Sequence, residues 1–180
     1  MRIVVSGTHA SGKSTLLADF ARTHLGYTVL PDPFELVDED EDAPGAAMIT
    51  AQLRLSADRL RSDEFGEDVI AERAPIDFLA YLLAMAELSG RDLDEDLLAR
   101  ATDITAAALR RIDLLVVLPL TAADPIPVGA DEHPELREAM DAALLDLLDD
   151  PDVVGDVAVA EITGDPGARL AALDALVAAS

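Results

Sequence analysis

The chain has 180 residues, 51% of them hydrophobic, which suits one folded domain with a full core and excludes a disordered protein. Its 13 basic and 36 acidic residues leave a net charge of −23, which argues against nucleic acid and anionic membrane surfaces as partners. Cysteine is absent, which excludes a disulfide framework and a thiolate metal site.

Short apolar runs alternate along the chain with segments of helical periodicity. The runs predict strands over residues 2–6, 27–30, 69–72, 113–118 and 157–162. The periodic segments predict helices over residues 14–25, 46–61, 75–88, 93–111, 134–148 and 167–179. Because the strands are apolar on both faces, we expect helices to cover both sides of a parallel sheet. The prediction is a three-layer α/β fold with five parallel strands, in a single domain over residues 1–180.

The start of the chain, MRIVVSG, lacks the basic and apolar regions of a signal peptide. No apolar run reaches the roughly 18 residues needed to span a bilayer. We therefore expect a cytoplasmic protein. The Ala- and Leu-rich segment 78–109 is either core or the interface of a homodimer.

Residues 7–14 read GTHASGKS and match the phosphate-loop pattern G-x-x-x-x-G-K-[ST] between the first strand and the first helix. Glycines allow the backbone N–H groups to curl around phosphate oxygens, and the helix N-terminus favours the same anion. We expect Lys13 to bind the β- and γ-phosphates and Ser14 to ligate Mg²⁺. Lys13 is also the only lysine of the chain. The pattern predicts nucleotide binding, and Ser11 is a candidate contact to phosphate or acceptor.

Glu72 and Arg73 form a second candidate constellation, at the end of the third predicted strand. Ligands of such sheets bind at the carboxyl ends of the strands. Glu72 could hold Mg²⁺ or accept a hydroxyl proton, and Arg73 could neutralise a transferring phosphoryl group. The alternative is a surface ion pair. For Asp77, near the start of the following helix, capping of free N–H groups is the favoured interpretation.

The sequence ERAPID over residues 72–77, followed by FLAY, and the N-terminal GTHASGKST resemble the small P-loop kinases. The pattern is similar to the AAA-domain proteins related to ribosylnicotinamide kinase and, more distantly, to deoxynucleoside and thymidylate kinases. The resemblance implies the strand order 2-3-1-4-5 and a triphosphate site formed by Gly7, Thr8, His9, Ala10, Ser11, Gly12, Lys13, Ser14 and Thr15.

The same resemblance implies further roles by position. Asp32 and Glu35 would bind the acceptor or act as base, and Arg137 would be a lid arginine that serves the transferring phosphoryl. Gly164, Pro166 and Arg169 would lie against the adenine. Lids of such kinases are usually rich in basic residues, whereas segment 121–139 has only Arg137, which argues against a highly anionic acceptor.

Two weaker features belong to the acceptor side. Gln52, on the second predicted helix, either faces the acceptor pocket or lies on a solvated face. Residues 35–42 include six acids. They lack the spaced glycine and glutamate of a calcium loop, so a solvated loop over the acceptor site is favoured.

Three functions remain open at this stage. The first is a kinase that transfers the γ-phosphoryl of ATP to a small hydroxyl acceptor, with Mg²⁺ as cofactor. The second is a nucleotide-dependent switch with a protein partner, and the third is plain ATP hydrolysis. A Ras-like GTPase is excluded, because the guanine-reading N-K-x-D motif needs a second lysine.

Overall fold

One parallel sheet of five short strands carries the fold. The computed structural model describes residues 1–36, 45–122, 125–129 and 133–180, with side chains throughout except at residues 35 and 36. The strands are β1 (Arg2–Ser6), β2 (Thr28–Leu30), β3 (Val69–Glu72), β4 (Leu114–Val117) and β5 (Ala158–Glu161). They pair in the order β2-β3-β1-β4-β5, all parallel, which confirms the predicted topology.

The described residues also form seven α-helices and one 3₁₀ turn. The helices are α1 (Lys13–Thr23), α2 (Ala46–Arg61), α3 (Pro75–Ser89), α4 (Glu95–Leu109), α5 (Pro134–Leu148), α6 (Pro151–Val154) and α7 (Pro166–Ala178). The 3₁₀ turn covers Pro33–Leu36. The predicted helices are confirmed to within about three residues at each end. Helix α6 was missed because four residues are too few to show a helical period.

The three central strands bury side chains on both faces. Val4, Leu115 and Val117 point into one apolar cluster, which α2, α3, α4 and α5 complete. Ile3, Val5 and Val116 point into a second cluster, closed by α1 and α7. Because successive side chains of a strand point to opposite faces of the sheet, each central strand contributes to both apolar clusters. Helices cover both faces, which gives the predicted three layers.

The two edge strands differ from the prediction of full burial. Thr28 and Val29 of β2 are exposed, and so are Ala158, Val159 and Glu161 of β5. An edge strand has a neighbour on one side only, so the helices cover it less completely than a central strand. None of the helices in the described part of the chain combines the length and the hydropathy that a bilayer span requires.

Helix α3 resolves one sequence-based alternative for segment 78–109. Its first half is buried between the sheet and the neighbouring helices, with Phe78 fully buried and Tyr81 6% exposed. That part of the segment is core, as predicted for these two aromatic residues.

Candidate active site

The phosphate loop connects the end of β1 to the start of α1 at the carboxyl edge of the sheet. Gly7 and Gly12 have φ angles of 146° and 93°, which residues other than glycine rarely adopt. A Cβ on Gly7 would lie 2.8 Å from Ser11 Oγ, and one on Gly12 would lie 2.6 Å from an Arg169 nitrogen. The two glycines of the motif are therefore required by both backbone conformation and space.

Lys13 begins α1 and turns its side chain back under the loop. Its Nζ donates a hydrogen bond of 2.7 Å to the carbonyl of Thr8, and the residue is only 3% exposed. Burial, with the nearby charge of Arg73, lowers the pKa of Lys13 to about 7, against the opposing pull of Asp77, Glu72 and Asp32. A bound phosphate would restore the charge on this ammonium.

Ser14 and Glu72 meet beside Lys13. The Ser14 hydroxyl donates to Glu72 Oε1 at 2.9 Å, across the gap between α1 and the end of β3. Burial raises the pKa of Glu72, although Lys13 and the bond from Ser14 act in the opposite direction. A hydroxyl and a carboxylate this close offer the hard oxygen ligands that Mg²⁺ prefers.

These two oxygens fit a magnesium ion that is shared with phosphate. Mg²⁺ is usually bound by one or two protein oxygens, waters and the phosphates of its nucleotide. Within the described ranges, no group of three or more histidine or acidic side chains could enclose a metal ion. Ser14 and Glu72 are the residues that would hold Mg²⁺, which would neutralise phosphate charge there.

Arg73 follows Glu72 and is held by several partners. Its Nε donates to Asp32 Oδ2 at 2.6 Å, and its guanidinium lies 5.5 Å from the ring centroids of Phe34 and Tyr81. Burial lowers the pKa of Arg73, but Tyr81, Asp32 and Asp77 outweigh it and keep the pKa above its ordinary value. Its φ of 65° is a left-handed conformation for a residue with a side chain, which is strained.

Asp77 connects the phosphate loop to α3. Its fully buried carboxylate accepts hydrogen bonds from Ser6 Oγ at 2.6 Å, from the Gly7 amide at 2.8 Å and from the Ala74 amide at 2.8 Å. Burial raises the pKa of Asp77, while Arg73 and Lys13 oppose that shift. The predicted capping of the helix is confirmed by the bond to Ala74, and the other two bonds extend it to the loop.

Replacement of Asp77 by alanine should destabilise the fold by about 3 kcal/mol, because three buried donors would lose their acceptor. Asp77→Asn should lose less, since one carbonyl oxygen remains. Urea unfolding followed by circular dichroism measures both. Asp58→Ala is the matched control, because Asp58 is exposed and pairs with Arg61. A free energy of unfolding of Asp77→Ala within 1 kcal/mol of the wild type would contradict this account.

An open cleft of about 370 Å³ contains most of the predicted site. Its lining residues are His9, Ala10, Ser11, Gly12, Lys13, Ser14, Thr15, Asp32, Glu72, Arg73 and Ile126. A smaller cavity of about 90 Å³ adjoins it and is lined by Gly12, Thr15, Leu16, Ile126, Pro166 and Arg169. The structure thus brings most of the phosphate loop together with Glu72 and the acceptor candidates Asp32 and Arg73, while Pro166 and Arg169 line the adjoining cavity.

Other predicted residues are placed less directly. Gln52 lies on α2 and is 1% exposed, so the solvated-face alternative is wrong. Its buried Oε1 has no hydrogen-bond partner among the described residues. Gly164 lies in the turn before α7, with φ of 102°, and lines neither of these two spaces. The side chain of Glu35 and residues 37–42 of the predicted acidic loop lie outside the described part of the chain.

Three residues near the site were not assigned a functional position from the sequence. The Tyr81 hydroxyl accepts from the His9 amide at 3.2 Å and is 3.0 Å from His9 Nδ1. Ile126 lines both spaces. Asp141 accepts from the Leu120 amide at 3.1 and 3.2 Å. The sequence contained a usable signal for Tyr81, because a tyrosine on an otherwise apolar helix face needs a hydrogen-bond partner for its buried hydroxyl. It contained no such signal for Ile126 or Asp141.

The order of the strands, the phosphate loop and the acid at the end of β3 define a P-loop nucleotide-binding protein with the fold of nucleoside and nucleotide kinases. Over residues 2–163, the sequence matches the model of a family described as AAA domain. The chain belongs to that family. The sequence shows no significant similarity to any curated protein.

Solved kinase structures share the fold over the whole chain. Deoxyadenosine kinase from M. mycoides with bound dATP is 15% identical, with a TM-score of 0.70 over 99% of this chain and 100% of that chain. The structure of the same enzyme with dCMP and dCDP is also 15% identical to this chain, and its TM-score is 0.68 over 100% of both chains. Thymidylate kinase from Candida albicans is 16% identical, with a TM-score of 0.67 over 99% and 91%.

Proposed function

We propose that residues 1–180 form a single kinase domain that transfers the γ-phosphoryl of ATP to a hydroxyl group of a small acceptor, with Mg²⁺ as cofactor. The acceptor class is a nucleoside, a nucleotide or a related metabolite. The observation that carries this proposal is the cleft of about 370 Å³, which runs from the phosphate loop to Asp32 and Arg73. Such a cleft can hold a triphosphate at one end and a second molecule at the other.

The nucleotide end supports phosphoryl transfer through fixed charge. Lys13 supplies an ammonium beneath the loop, and Ser14 and Glu72 offer the oxygens for Mg²⁺. Catalysis of phosphoryl transfer consists mainly of positioning and charge stabilisation. We assign Lys13 to the β- and γ-phosphates, and Glu72 to the metal or to the proton of the acceptor hydroxyl.

The acceptor end carries more carboxylates than cations, which favours acceptors without phosphate groups. Arg73 is a cation there, but it is paired with Asp32 at 2.6 Å and lies 3.9 Å from Asp77. Glu72 adds a further carboxylate on the same side of the loop. A dianionic phosphate at this end would meet more negative than positive charge. We therefore place nucleosides and other uncharged alcohols ahead of nucleotides.

Asp32 and Gln52 are the two polar residues proposed for the acceptor side, and they are assigned different roles. Asp32 has both carboxylate oxygens engaged, one by Arg73 and the other by the amide of Phe34 at 3.0 Å. Asp32 therefore serves better to hold Arg73 than to take a proton, which leaves Glu72 as the preferred base of the two. Among the residues that the structure describes, none donates to the buried Oε1 of Gln52, and we assign this oxygen to an N–H or O–H donor of the acceptor.

An acceptor panel tests the proposal. Purified protein with ATP and Mg²⁺ is incubated with nucleosides, nucleotides, sugars and amino alcohols, and ADP release is followed. We expect an uncharged hydroxyl compound to raise ADP release at least about tenfold above the acceptor-free rate, since positioning supplies most of the catalysis. Equal release with and without every acceptor would favour plain ATP hydrolysis, and no release at all would remove the enzyme proposal.

A further inference from the structure

Five consecutive carbonyl groups of the phosphate loop, those of residues 7–11, accept hydrogen bonds from cationic side chains. The pairs are Arg73 Nη1 with Gly7 at 3.3 Å, Lys13 Nζ with Thr8 at 2.7 Å, Arg137 Nε with His9 at 3.1 Å, Arg137 Nη2 with Ala10 at 3.0 Å and Arg169 Nη1 with Ser11 at 2.6 Å. We call these five acceptors the outer carbonyls.

The four cations come from four different parts of the fold. Lys13 belongs to α1, Arg73 follows β3, Arg137 lies on α5 and Arg169 lies on α7. The chain has only 13 basic residues and a net charge of −23. Four of these 13 residues donate hydrogen bonds to the backbone of one short loop, so the few cations of this acidic chain are concentrated there.

This arrangement fixes the direction of the peptide groups. A loop binds phosphate when successive N–H groups point inward at the anion. The opposite ends of those peptides, the carbonyls, then point away from the anion and need partners of their own. The Thr8–His9 peptide differs, because its N–H donates to Tyr81 and its carbonyl accepts from Lys13. Charge-assisted hydrogen bonds are about twice as strong as neutral ones, so cations are effective partners for such carbonyls.

The backbone of the loop also needs outside support. Ala10 has a φ of 50°, in the left-handed region that is unfavourable for a residue with a side chain. Such a conformation persists only when its surroundings over-determine it. Arg137 binds the carbonyls of the two peptide groups that flank the Cα of Ala10, so it holds the loop at this strained residue.

We propose that Arg137 and Arg169 are positioning residues, which hold the phosphate loop in its binding conformation through the outer carbonyls. This role replaces the sequence-based expectation that Arg137 serves the transferring phosphoryl and that Arg169 contacts adenine. It rests on the proposed function in one respect, namely that the loop binds a nucleotide. The two arginines act on that nucleotide through the N–H groups of the loop, without touching it.

The contacts themselves distinguish the two arginines. Arg137 uses two nitrogens on neighbouring carbonyls, a fork that lysine cannot reproduce. Arg169 reaches the loop through Nη1, at 2.6 Å from the Ser11 carbonyl. Because of that fork, Arg137→Lys should behave as Arg137→Ala.

Three phosphate ligands test the proposal by titration calorimetry: ATP, ADP and inorganic tripolyphosphate. If the arginines act through the loop, Arg137→Ala and Arg169→Ala should weaken all three ligands by the same factor, about tenfold, because each ligand binds the loop N–H groups. Arg100→Ala is the matched control, since Arg100 is exposed on α4, away from the loop. Its affinities should equal those of the wild type.

Selective losses would overturn the proposal. If Arg137→Ala weakens ATP but not ADP, Arg137 acts on the γ-phosphate. If Arg169→Ala weakens ATP and ADP but not tripolyphosphate, Arg169 acts on the adenosine part. Either result restores the role expected from the sequence for that arginine.

A ligand-free measurement separates this proposal from the proposed function. Backbone ¹⁵N relaxation of the unliganded protein reports the order of residues 9–12. We expect lower order parameters there in Arg137→Ala and Arg169→Ala, and unchanged ones in Arg100→Ala. Unchanged order in both loop variants would overturn the positioning role. A wild type that binds none of the three ligands would instead overturn nucleotide binding, and the relaxation result would still decide the role of the arginines.

Discussion

Replacement of Lys13 by methionine should weaken binding of MgADP and MgATP by about 100-fold, because the only ammonium directly beneath the loop is lost. Methionine is chosen because it fills the same buried volume without charge. The Thr8 carbonyl then loses the bond of 2.7 Å that Lys13 now supplies. Titration calorimetry at constant pH and salt measures the change in affinity.

Lys13→Arg is a second variant that tests whether charge alone is sufficient at this position. Arginine keeps the charge, but its planar fork needs more room than a compact ammonium. The Lys13 ammonium is buried at 2.7 Å from the Thr8 carbonyl, a position that the longer and broader guanidinium cannot take without moving into the cleft. We expect Lys13→Arg to lose nearly as much affinity as Lys13→Met. Wild-type affinity in Lys13→Arg would show that charge alone suffices at this position.

The lowered pKa of Lys13 also predicts how stability depends on pH. The folded protein holds this pKa at about 7, against an ordinary value of 10.5. Between these two values the unfolded chain binds more protons than the folded chain, so this residue makes the free energy of unfolding rise with pH. Lys13→Met should lack that rise. Urea unfolding of both proteins from pH 7 to pH 10 measures the difference.

The sequence was sufficient to predict the fold and to propose the centre of the candidate site. The motif over residues 7–14 predicts a strand, a loop and a helix because each of its positions has a steric or electrostatic reason. The apolar runs predicted the remaining strands, and Glu72 was expected at a strand end where ligands of such sheets bind. These signals are local, so they can be read from neighbouring residues alone.

The contacts around the loop could not be predicted in the same way. The position of Arg137 was expected near the nucleotide, but its partners, the carbonyls of His9 and Ala10, are more than 120 residues away along the chain. Asp77 was expected to cap its helix, whereas its bonds to Ser6 and Gly7 join two separate elements. A spacing in the sequence carries no information about such pairs, because packing of α3 and α5 onto the sheet decides them.

The second large effect is expected at Glu72. Glu72→Gln keeps the shape of the side chain and an oxygen for the bond from Ser14, now 2.9 Å, but it removes the negative charge. A neutral amide neither binds Mg²⁺ as strongly as a carboxylate nor accepts the proton of the acceptor hydroxyl. The turnover number should therefore fall by about 100-fold or more. Nucleotide affinity without metal should stay equal or rise, because a negative charge near the phosphates is gone.

Glu161→Gln is the matched control for this variant. Glu161 is also the last residue of its strand, but it is exposed on the edge strand β5 and does not line the cleft. Its turnover number should equal that of the wild type. A Glu72→Gln enzyme with the wild-type turnover number would leave the carboxylate without a catalytic or metal-binding role.

The pH profile distinguishes a charged role of Glu72 from a merely structural one. Burial raises the pKa of Glu72 above that of an exposed glutamate. If the ionised form is required, activity is present above this raised pKa and is lost as the pH falls through it. The acidic limb of the profile should therefore begin at a higher pH than an exposed glutamate would give, and it should disappear from the residual activity of Glu72→Gln. A limb that persists unchanged in that variant would belong to another carboxylate of the cleft, and Asp32 would be the next residue to replace.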